Sequence, residues 1–216
     1  MSFIAQAPRA ASVGLFSPTR ILGILFFFSG FAALIYQIIW QRALFRILGV
    51  NIEAVTIVVT AFMIGLGLGS LAGGALSRRL AGRAIPLLAA IEALTALYGV
   101  FSLGIFEKVG AMATDAPLAG VAAVALGLVL VPTLLMGATL PVLVAHLTRT
   151  SGLTGESVGY LYYVNTVGAA WGCLAGALLI FPFMGMQASI WMAAAINIIV
   201  SVFALWLHFT TQEASA

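Results

Sequence analysis

Residues 21–40 read ILGILFFFSGFAALIYQIIW, a run of twenty positions without a charged side chain. A helix of about 20 apolar residues spans the roughly 30 Å hydrocarbon core of a bilayer. Its backbone amides bond to one another inside the helix, so hydrocarbon can surround it. The segment therefore predicts a transmembrane helix, and with it an integral membrane protein.

Five further apolar segments follow the first one, with short polar connections between them. They occupy about 54–77, 85–106, 118–146, 157–181 and 187–207. Apolar residues make up 63% of the 216 residues and charged residues 7%, whereas a soluble domain is roughly a quarter charged. These values predict an all-α, polytopic bundle of about six transmembrane helices in a lipid bilayer, and they exclude a soluble catalytic domain.

Basic residues near the segment ends predict the orientation of the chain. If the loops alternate between the two sides, the inner side receives six of them and the outer side three: Arg9, Arg20, Arg78, Arg79, Arg83 and Arg149 against Arg42, Arg46 and Lys108. Basic residues concentrate in cytoplasmic loops, so both termini are predicted to be cytoplasmic. We expect a cytoplasmic tail at 1–20, one transmembrane domain at 21–208 and a second tail at 209–216. The basic residues form no continuous patch, so nucleic acid is not a predicted partner.

Two segments depart from a simple crossing. The stretch 41–53 mixes Arg42 and Arg46 with apolar residues, which is typical of a helix extension or an interfacial segment. The fourth helix contains Pro132 and Pro141. Proline removes a backbone donor and clashes with the preceding turn, so a kink or a break is predicted there.

Glycines recur every fourth residue in two of the helices. The stripes are Gly65, Gly69 and Gly73 in the second helix, and Gly168, Gly172 and Gly176 in the fifth. Small residues let helix backbones approach closely in lipid, where apolar burial does not drive association. The stripes predict tight helix packing, either within the chain or at a subunit interface.

The second and fifth helices correspond if the chain consists of two inverted three-helix repeats, as in one half of a major-facilitator-type transporter. The loop 74–83, GALSRRLAGR, also resembles the loop between helices two and three of such transporters, although it lacks their aspartate. A half-unit needs a second half to complete an alternating-access path, so this interpretation predicts a homodimer.

Four polar residues within the apolar segments are the candidate substrate-binding residues: Glu92, Tyr36, Gln37 and Asn165. A charged carboxylate at the centre of a membrane helix costs about 2.5–3.5 kcal/mol on insertion scales. Glu92 is therefore either a cation or proton site or a hydrogen-bonded packing residue. Trp40 and Arg42, close to the helix end, are alternatively interfacial anchors. Asn165 and Thr166 lie beside the glycine stripe of the fifth helix, where a hydrogen bond that holds two helices together is the favoured alternative to a polar lining.

The sequence offers no catalytic constellation. It contains no nucleophile with a neighbouring base and no histidine–carboxylate spacing, and Cys173 is its one cysteine. No enzyme acting alone, no metal and no cofactor is therefore predicted. Asn197 and His146 are single polar residues without a visible partner, and they receive no predicted role.

Two segments carry a resemblance to a known family: residues 29–42, SGFAALIYQIIWQR, and residues 161–172, LYYVNTVGAAWG. Together with FMIGLGLG at 62–69 and GATLP at 137–141, they resemble the membrane region of the fused spermidine-synthase-like proteins. The resemblance extends over 23–185. It implies a major-facilitator-like membrane domain and a place in the bacterial inner membrane.

In that family a soluble aminopropyltransferase-like domain usually follows the helices and would hold decarboxylated S-adenosylmethionine and a diamine. The present 216 residues show no glycine-rich strand-turn-helix and no acidic pair for a diamine. We therefore expect any aminopropyltransferase to be a separate polypeptide. Two hypotheses of function remain: binding or transport of a small, cationic, polyamine-like solute, and a non-transporting anchor or scaffold for a separate enzyme or membrane complex.

Overall fold

The computed structural model describes residues 18–49, 52–112 and 117–213. Within these ranges lie six α-helices and one π-helical turn: α1 Pro18–Leu48, α2 Ile52–Arg79, α3 Ala84–Met112, α4 Leu118–Ser151, α5 Thr154–Ala175, the π turn Gly176–Ile180 and α6 Phe181–Glu213. The same ranges contain no strand, so the predicted all-α class is confirmed. Most of the predicted tail 1–20, with Arg9, lies outside the described residues.

Several helices are longer than the apolar segments that predicted them. Helix α1 continues to Leu48, so most of the stretch 41–53 is a helix extension. Helix α3 includes Glu107 and Lys108, which lie beyond the predicted apolar segment 85–106. Helix α4 runs through Pro132 and Pro141 without interruption, so the predicted break is absent from its described backbone. Charged residues at helix ends can reach water beyond the hydrocarbon, which lets a helix continue past the apolar run.

Five stretches of the described chain are long and apolar enough to cross a membrane, against the six that the sequence predicted. The difference arises in the last stretch, Thr154–Thr210, whose 57 residues join α5, the π turn and α6. A straight helix of that length would measure about 85 Å. Gly185 interrupts it with φ 73° and ψ 179°, a backbone conformation that is almost restricted to glycine.

Contacts on either side of Gly185 show that the chain changes direction there. Helix α5 runs parallel to α1, because Gly168 lies against Phe27 and Gly172 against Phe31. Helix α6 runs the other way and returns beside α1 and α3. The predicted boundary between the fifth and sixth segments, at 182–186, therefore contains the reversal.

Helices α3 and α6 are antiparallel neighbours. Near the start of α3, the Ala89 carbonyl accepts a 2.7 Å hydrogen bond from Ser201 Oγ of late α6. Near the end of α3, Phe106 lines the same pocket as Gln187 of early α6. The return of α6 along α3 therefore brings Asn197 to the middle of the bundle.

Both glycine stripes face helices of the same chain. In the α2 stripe, Gly69 lies against the Leu134 backbone of α4 and Gly73 against Ala138. In the α5 stripe, Gly168 and Gly172 lie against the α1 backbone, where any Cβ would overlap a carbonyl oxygen. These approaches explain why glycine occupies the positions. The most extensive helix contacts are accordingly α2 with α4 and α1 with α5.

The core is divided into two apolar layers along the helix axes. One layer contains the later parts of α1 and α3 and the earlier parts of α4 and α6. The other layer contains the earlier parts of α1 and α3 and the later parts of α4 and α6. A polar residue lies between the layers on each of these four helices: Ser29, Glu92, Thr133 and Asn197. The polar band between two apolar layers positions the candidate site.

Candidate functional site

A cavity of about 110 Å³ lies in the polar band, where all six helices contribute to its wall. We call it the central cavity. Its polar lining comprises Ser29 and Gln37 of α1, Glu92 and Thr95 of α3, Thr139 of α4, Asn165 of α5 and Asn197 of α6. Apolar side chains complete the wall. At about 30 Å³ per water molecule, the volume suits three or four waters or one small ammonium group with a short alkyl chain.

Glu92 is the ionisable residue among the described lining of the cavity. Its side chain is 1% exposed, and Oε1 accepts a 2.6 Å hydrogen bond from Ser29 Oγ. Helix α3 presents it toward α1, because Gly99 and Ser102, at helical spacing from Glu92, contact α1 as well. A buried carboxyl group needs hydrogen-bond or charge partners, and the cavity is where they can bind.

Asn197 faces the same cavity from α6. It is 2% exposed, and its Oδ1 has no hydrogen-bond partner among the described residues. An unpaired buried acceptor costs about 1–3 kcal/mol. The sequence assigned this residue no role, because nothing in α6 alone indicates that the residue meets Glu92 of α3 across a cavity. Asn197 and Glu92 therefore line one cavity from two different helices.

Gln37 and Asn165 also line the central cavity, so these two predicted residues lie in the bundle interior. Their role in binding stays a prediction. Asn165 can approach α1 closely because Gly30 has no side chain, and a Cβ there would overlap the Asn165 backbone and side chain. Thr166, its neighbour in the sequence, is exposed on the outer surface of the bundle. The structure thus brings three of the four predicted binding residues, Glu92, Gln37 and Asn165, to one cavity.

Tyr36 is the predicted residue that does not line the central cavity. Its ring stacks on Trp40, with centroids 4.9 Å apart, and packs against Gly99 of α3. The hydroxyl is buried without a hydrogen-bond partner among the described residues, and it lies close enough to Glu92 to interact electrostatically. Tyr36 therefore belongs to the apolar layer adjoining the cavity.

Trp40 is a core residue, so the interfacial-anchor interpretation is wrong for it. The side chain is 0% exposed, and Nε1 donates a 2.9 Å hydrogen bond to Ser102 Oγ. Phe62, Tyr98 and Phe106 surround the indole. Arg42, by contrast, is exposed and places its guanidinium 4.2 Å from the Phe181 ring centroid, a cation–π contact.

A larger pocket of about 440 Å³ lies at the end of the bundle where α1 and α3 finish and α6 starts. Exposed Arg46 and Glu107 line it together with Gln187. Arg46 also contacts Met186. The aromatic residues around Trp40 belong to one of the two apolar layers. This apolar layer thus lies between the peripheral pocket and the central cavity.

Sequence reasoning missed four polar members of the cavity wall: Ser29, Thr95, Thr139 and Asn197. Serine and threonine are common in membrane helices, where they often bond to their own backbone. Thr95 does so with Ile91, and Thr139 with Met136. The sequence did contain a signal for Thr95, because it follows Glu92 by three residues and therefore lies on the same face of α3.

Comparison with known proteins identifies a distant relative. The chain is 26% identical over 191 residues to a polyamine aminopropyltransferase of Oceanobacillus iheyensis, in a match that covers 85% of this chain and 35% of that protein. The chain thus spans about a third of the relative's length. The predicted resemblance is confirmed as distant homology over a helical, membrane-like region. No family model and no solved structure matches the chain.

Proposed function

We propose that this chain is a membrane domain that binds and transports a small cationic solute in the central cavity. The observation that carries the proposal is that one cavity between two apolar layers is lined by Glu92, 1% exposed, and by Asn197, whose Oδ1 has no hydrogen-bond partner among the described residues. These helices serve binding and movement of the solute rather than catalysis. Glu92, Gln37, Asn165 and Asn197 are its binding residues.

The chemistry of the lining favours an ammonium group. A primary ammonium carries three N–H donors and one positive charge, and the cavity offers a carboxylate and amide oxygens as acceptors. Charge-assisted hydrogen bonds of this kind are roughly twice as strong as neutral ones. The relative is named a polyamine aminopropyltransferase, which supports a polyamine-like solute. The cavity volume suits one end of such a molecule at a time.

The chain crosses the membrane six times in this proposal, with both termini in the cytoplasm of a bacterial inner membrane. Helix α5 parallel to α1 and the reversal at Gly185 support two separate crossings within Thr154–Thr210. Arg78 and Arg79 at the end of α2, and Arg149 at the end of α4, support the cytoplasmic location of those ends.

Two inverted three-helix repeats account for this arrangement. A shift of 103 positions, the difference between Gly65 and Gly168, carries α1 onto 121–151, α2 onto 155–182 and α3 onto 187–215. Those ranges approximate α4, then α5 with the π turn, then α6 after Gly185. The same shift relates the two most extensive helix contacts. It carries α2 onto α5 and α1 onto α4, so the contact between α2 and α4 corresponds to the contact between α5 and α1.

The central cavity follows the same relation. Three pairs of its lining residues differ by 103 positions: Ala33 with Met136, Phe62 with Asn165, and Leu66 with Ala169. A site shared by both repeats near the bilayer midplane is where such transporters hold their solute. Six helices form half of a major-facilitator-like unit, so we propose that a second copy or another half completes the transport path.

The crossing number predicts the position of the two termini. Reporter domains fused to the amino terminus and to the carboxy terminus are expected to lie on the same, cytoplasmic side, because six crossings return the chain to its starting side. Protease or fluorescence accessibility in intact cells and in inverted vesicles measures this. Reporters on opposite sides would indicate five crossings and overturn the repeat arrangement.

Transport is tested with purified protein in lipid vesicles and radiolabelled 1,4-diaminobutane. We expect uptake well above that of empty vesicles, and at least a tenfold lower initial rate for Glu92→Gln. Removing one partner of a buried charged pair costs about 2–5 kcal/mol, and about 1.4 kcal/mol corresponds to a factor of ten. Glu107→Gln, which removes an exposed carboxyl from the same helix, is expected to retain the wild-type rate.

Equal uptake in empty and protein-containing vesicles would remove the transport proposal and favour a second candidate, a membrane anchor for a separate enzyme. The specific observation behind that candidate is the relative, which is an aminopropyltransferase and of which the matching region forms 35%. Stoichiometric capture of an aminopropyltransferase in mild detergent, together with uptake no higher than that of empty vesicles, would support the anchor.

A further inference from the structure

We infer that Glu92 exchanges a proton for the solute cation, so that transport through the central cavity is coupled to proton movement in the opposite direction. This inference rests on the proposed function and adds a second, coupled ion to it. It follows from the charges in the cavity, from the apolar layers on either side of it, and from the unpartnered acceptor of Asn197.

The central cavity contains one ionisable side chain. Among its described lining residues, Glu92 is the ionisable one, and the others are amides, hydroxyl groups, glycine or apolar side chains. Helix α1 adds Tyr36, a titratable group in the adjoining apolar layer. From α2, α4, α5 and α6 the wall presents Phe62, Leu66, Met136, Thr139, Asn165, Ala169 and Asn197, none of which carries a charge. No described cationic side chain in the wall therefore balances the Glu92 carboxylate.

The two apolar layers separate the cavity from both ends of the bundle. Trp40 and Phe106 belong to one layer, and Phe26 and Leu143 to the other, and each is at most 2% exposed. An isolated carboxylate in such surroundings is far more costly than a neutral carboxylic acid. One positive charge must therefore accompany Glu92 whenever the cavity is closed, and that charge is either the solute cation or a proton.

Hydrogen bonding is compatible with both occupants. Ser29 Oγ already donates to Glu92 Oε1, which leaves Oε2 as the oxygen that carries the proton. A protonated carboxyl is a donor as well as an acceptor. Asn197 lines the same cavity and its Oδ1 has no partner among the described residues, so the exchange assigns this oxygen as the acceptor of the carboxyl O–H. When an ammonium group enters, its N–H groups replace the carboxyl O–H as donors to the same acceptors. Asn197 thus serves the proton-loaded and the cation-loaded states alike.

The exchange balances in atoms, and at the Glu92 carboxylate one ammonium charge replaces one proton. The Oε2–H bond of Glu92 breaks, the proton passes to water when the cavity opens, and the ammonium pairs with the resulting carboxylate. No covalent bond to the solute forms, and no electron is transferred. One carboxyl group releases at most one proton, so a diamine that carries two charges moves one net positive charge per cycle.

Two measurements on the purified full chain test the inference. The first records proton release by a pH indicator in weakly buffered detergent solution when 1,4-diaminobutane is added, with calorimetry in parallel to count bound diamine. We expect close to one proton per bound diamine in the wild type and in Glu107→Gln. Glu92→Gln is expected to release none, and its thermal unfolding identifies any loss of fold.

The second measurement is infrared spectroscopy of the protonated carboxyl C=O stretch, which needs no solute. We expect the cation-free wild type to show this band, Glu92→Gln to lack it, and Asn197→Ala to shift it to higher frequency because the carboxyl loses its acceptor. Addition of the diamine is expected to remove the band. A purely structural role of Asn197 would leave the band frequency unchanged.

The outcomes separate the two proposals. Diamine binding without proton release, or a cation-free protein without the band, overturns the exchange and leaves cation binding standing. Absence of diamine binding overturns the proposed function and the exchange with it, even if the band is present. Band loss and release of about one proton on binding support both.

Discussion

Replacing Gly172 by leucine is expected to lower the free energy of unfolding by at least about 3 kcal/mol, the upper end of the overpacking range. Gly172 lies directly against the backbone of Phe31, and a Cβ there would overlap the Phe31 carbonyl oxygen. A backbone atom cannot turn aside as a flexible side chain can, so α5 must move away from α1. That separation also displaces Asn165, because the residue lies on the same helix beside Gly30.

Unfolding by sodium dodecyl sulfate in mixed micelles, followed by circular dichroism, measures the change. Gly159→Leu is the matched control on the same helix, since Gly159 is exposed and none of the described atoms lies within 4 Å of the place that its Cβ would occupy. Leucine has a better helix propensity than glycine by up to about 1 kcal/mol, so this control is expected to be neutral or stabilising. Equal destabilisation by both substitutions would contradict the tight α1–α5 contact.

Replacing Trp40 by alanine is expected to cost about 3–5 kcal/mol of the free energy of unfolding. Large-to-small changes of buried aromatic residues have costs of this size because the surroundings only partly fill the space. Trp40 is 0% exposed and contacts four aromatic side chains, and its loss also leaves Ser102 Oγ without the indole donor. In lipid the lost dispersion contacts matter most, because apolar transfer contributes little between helices.

The same unfolding titration compares Trp40→Ala with Trp171→Ala. Trp171 is 59% exposed on the surface of α5, and surface substitutions usually change stability by about 0.5 kcal/mol or less. Trp40→Phe is expected to fall between the two variants, since it retains a ring and loses the hydrogen bond to Ser102. A Trp40→Ala protein as stable as the wild type would contradict the buried position of the indole.

Much of the candidate site was predictable one helix at a time. Glu92, Gln37 and Asn165 stand out because polar groups are costly within apolar segments, and all three line the central cavity. Tyr36 stands out for the same reason but packs beside the cavity instead. It neighbours Gln37 in the sequence, but consecutive helical residues point about 100° apart, and the Tyr36 ring is directed toward Gly99 of α3.

Asn197 shows why the remainder of the site was not predictable. Its importance comes from lining the same cavity as Glu92, which precedes it by 105 positions and lies on an antiparallel helix. Helical periodicity specifies which residues share a face of one helix, but the neighbouring helix and its register are not encoded in that pattern. The reversal at Gly185 sets the register of α6 and so brings Asn197 to the cavity.

By itself, the sequence determined that the chain is helical and apolar enough for a membrane, since backbone hydrogen bonds must be satisfied within each segment and few side chains carry charge. It also determined which positions are glycine and which apolar segments contain a polar residue. Only the tertiary structure decided that the glycine stripes face α4 and α1, and that residues from all six helices enclose one cavity. The physical reason is that close helix packing depends on the complementarity of two surfaces, and each segment of sequence describes only one of them.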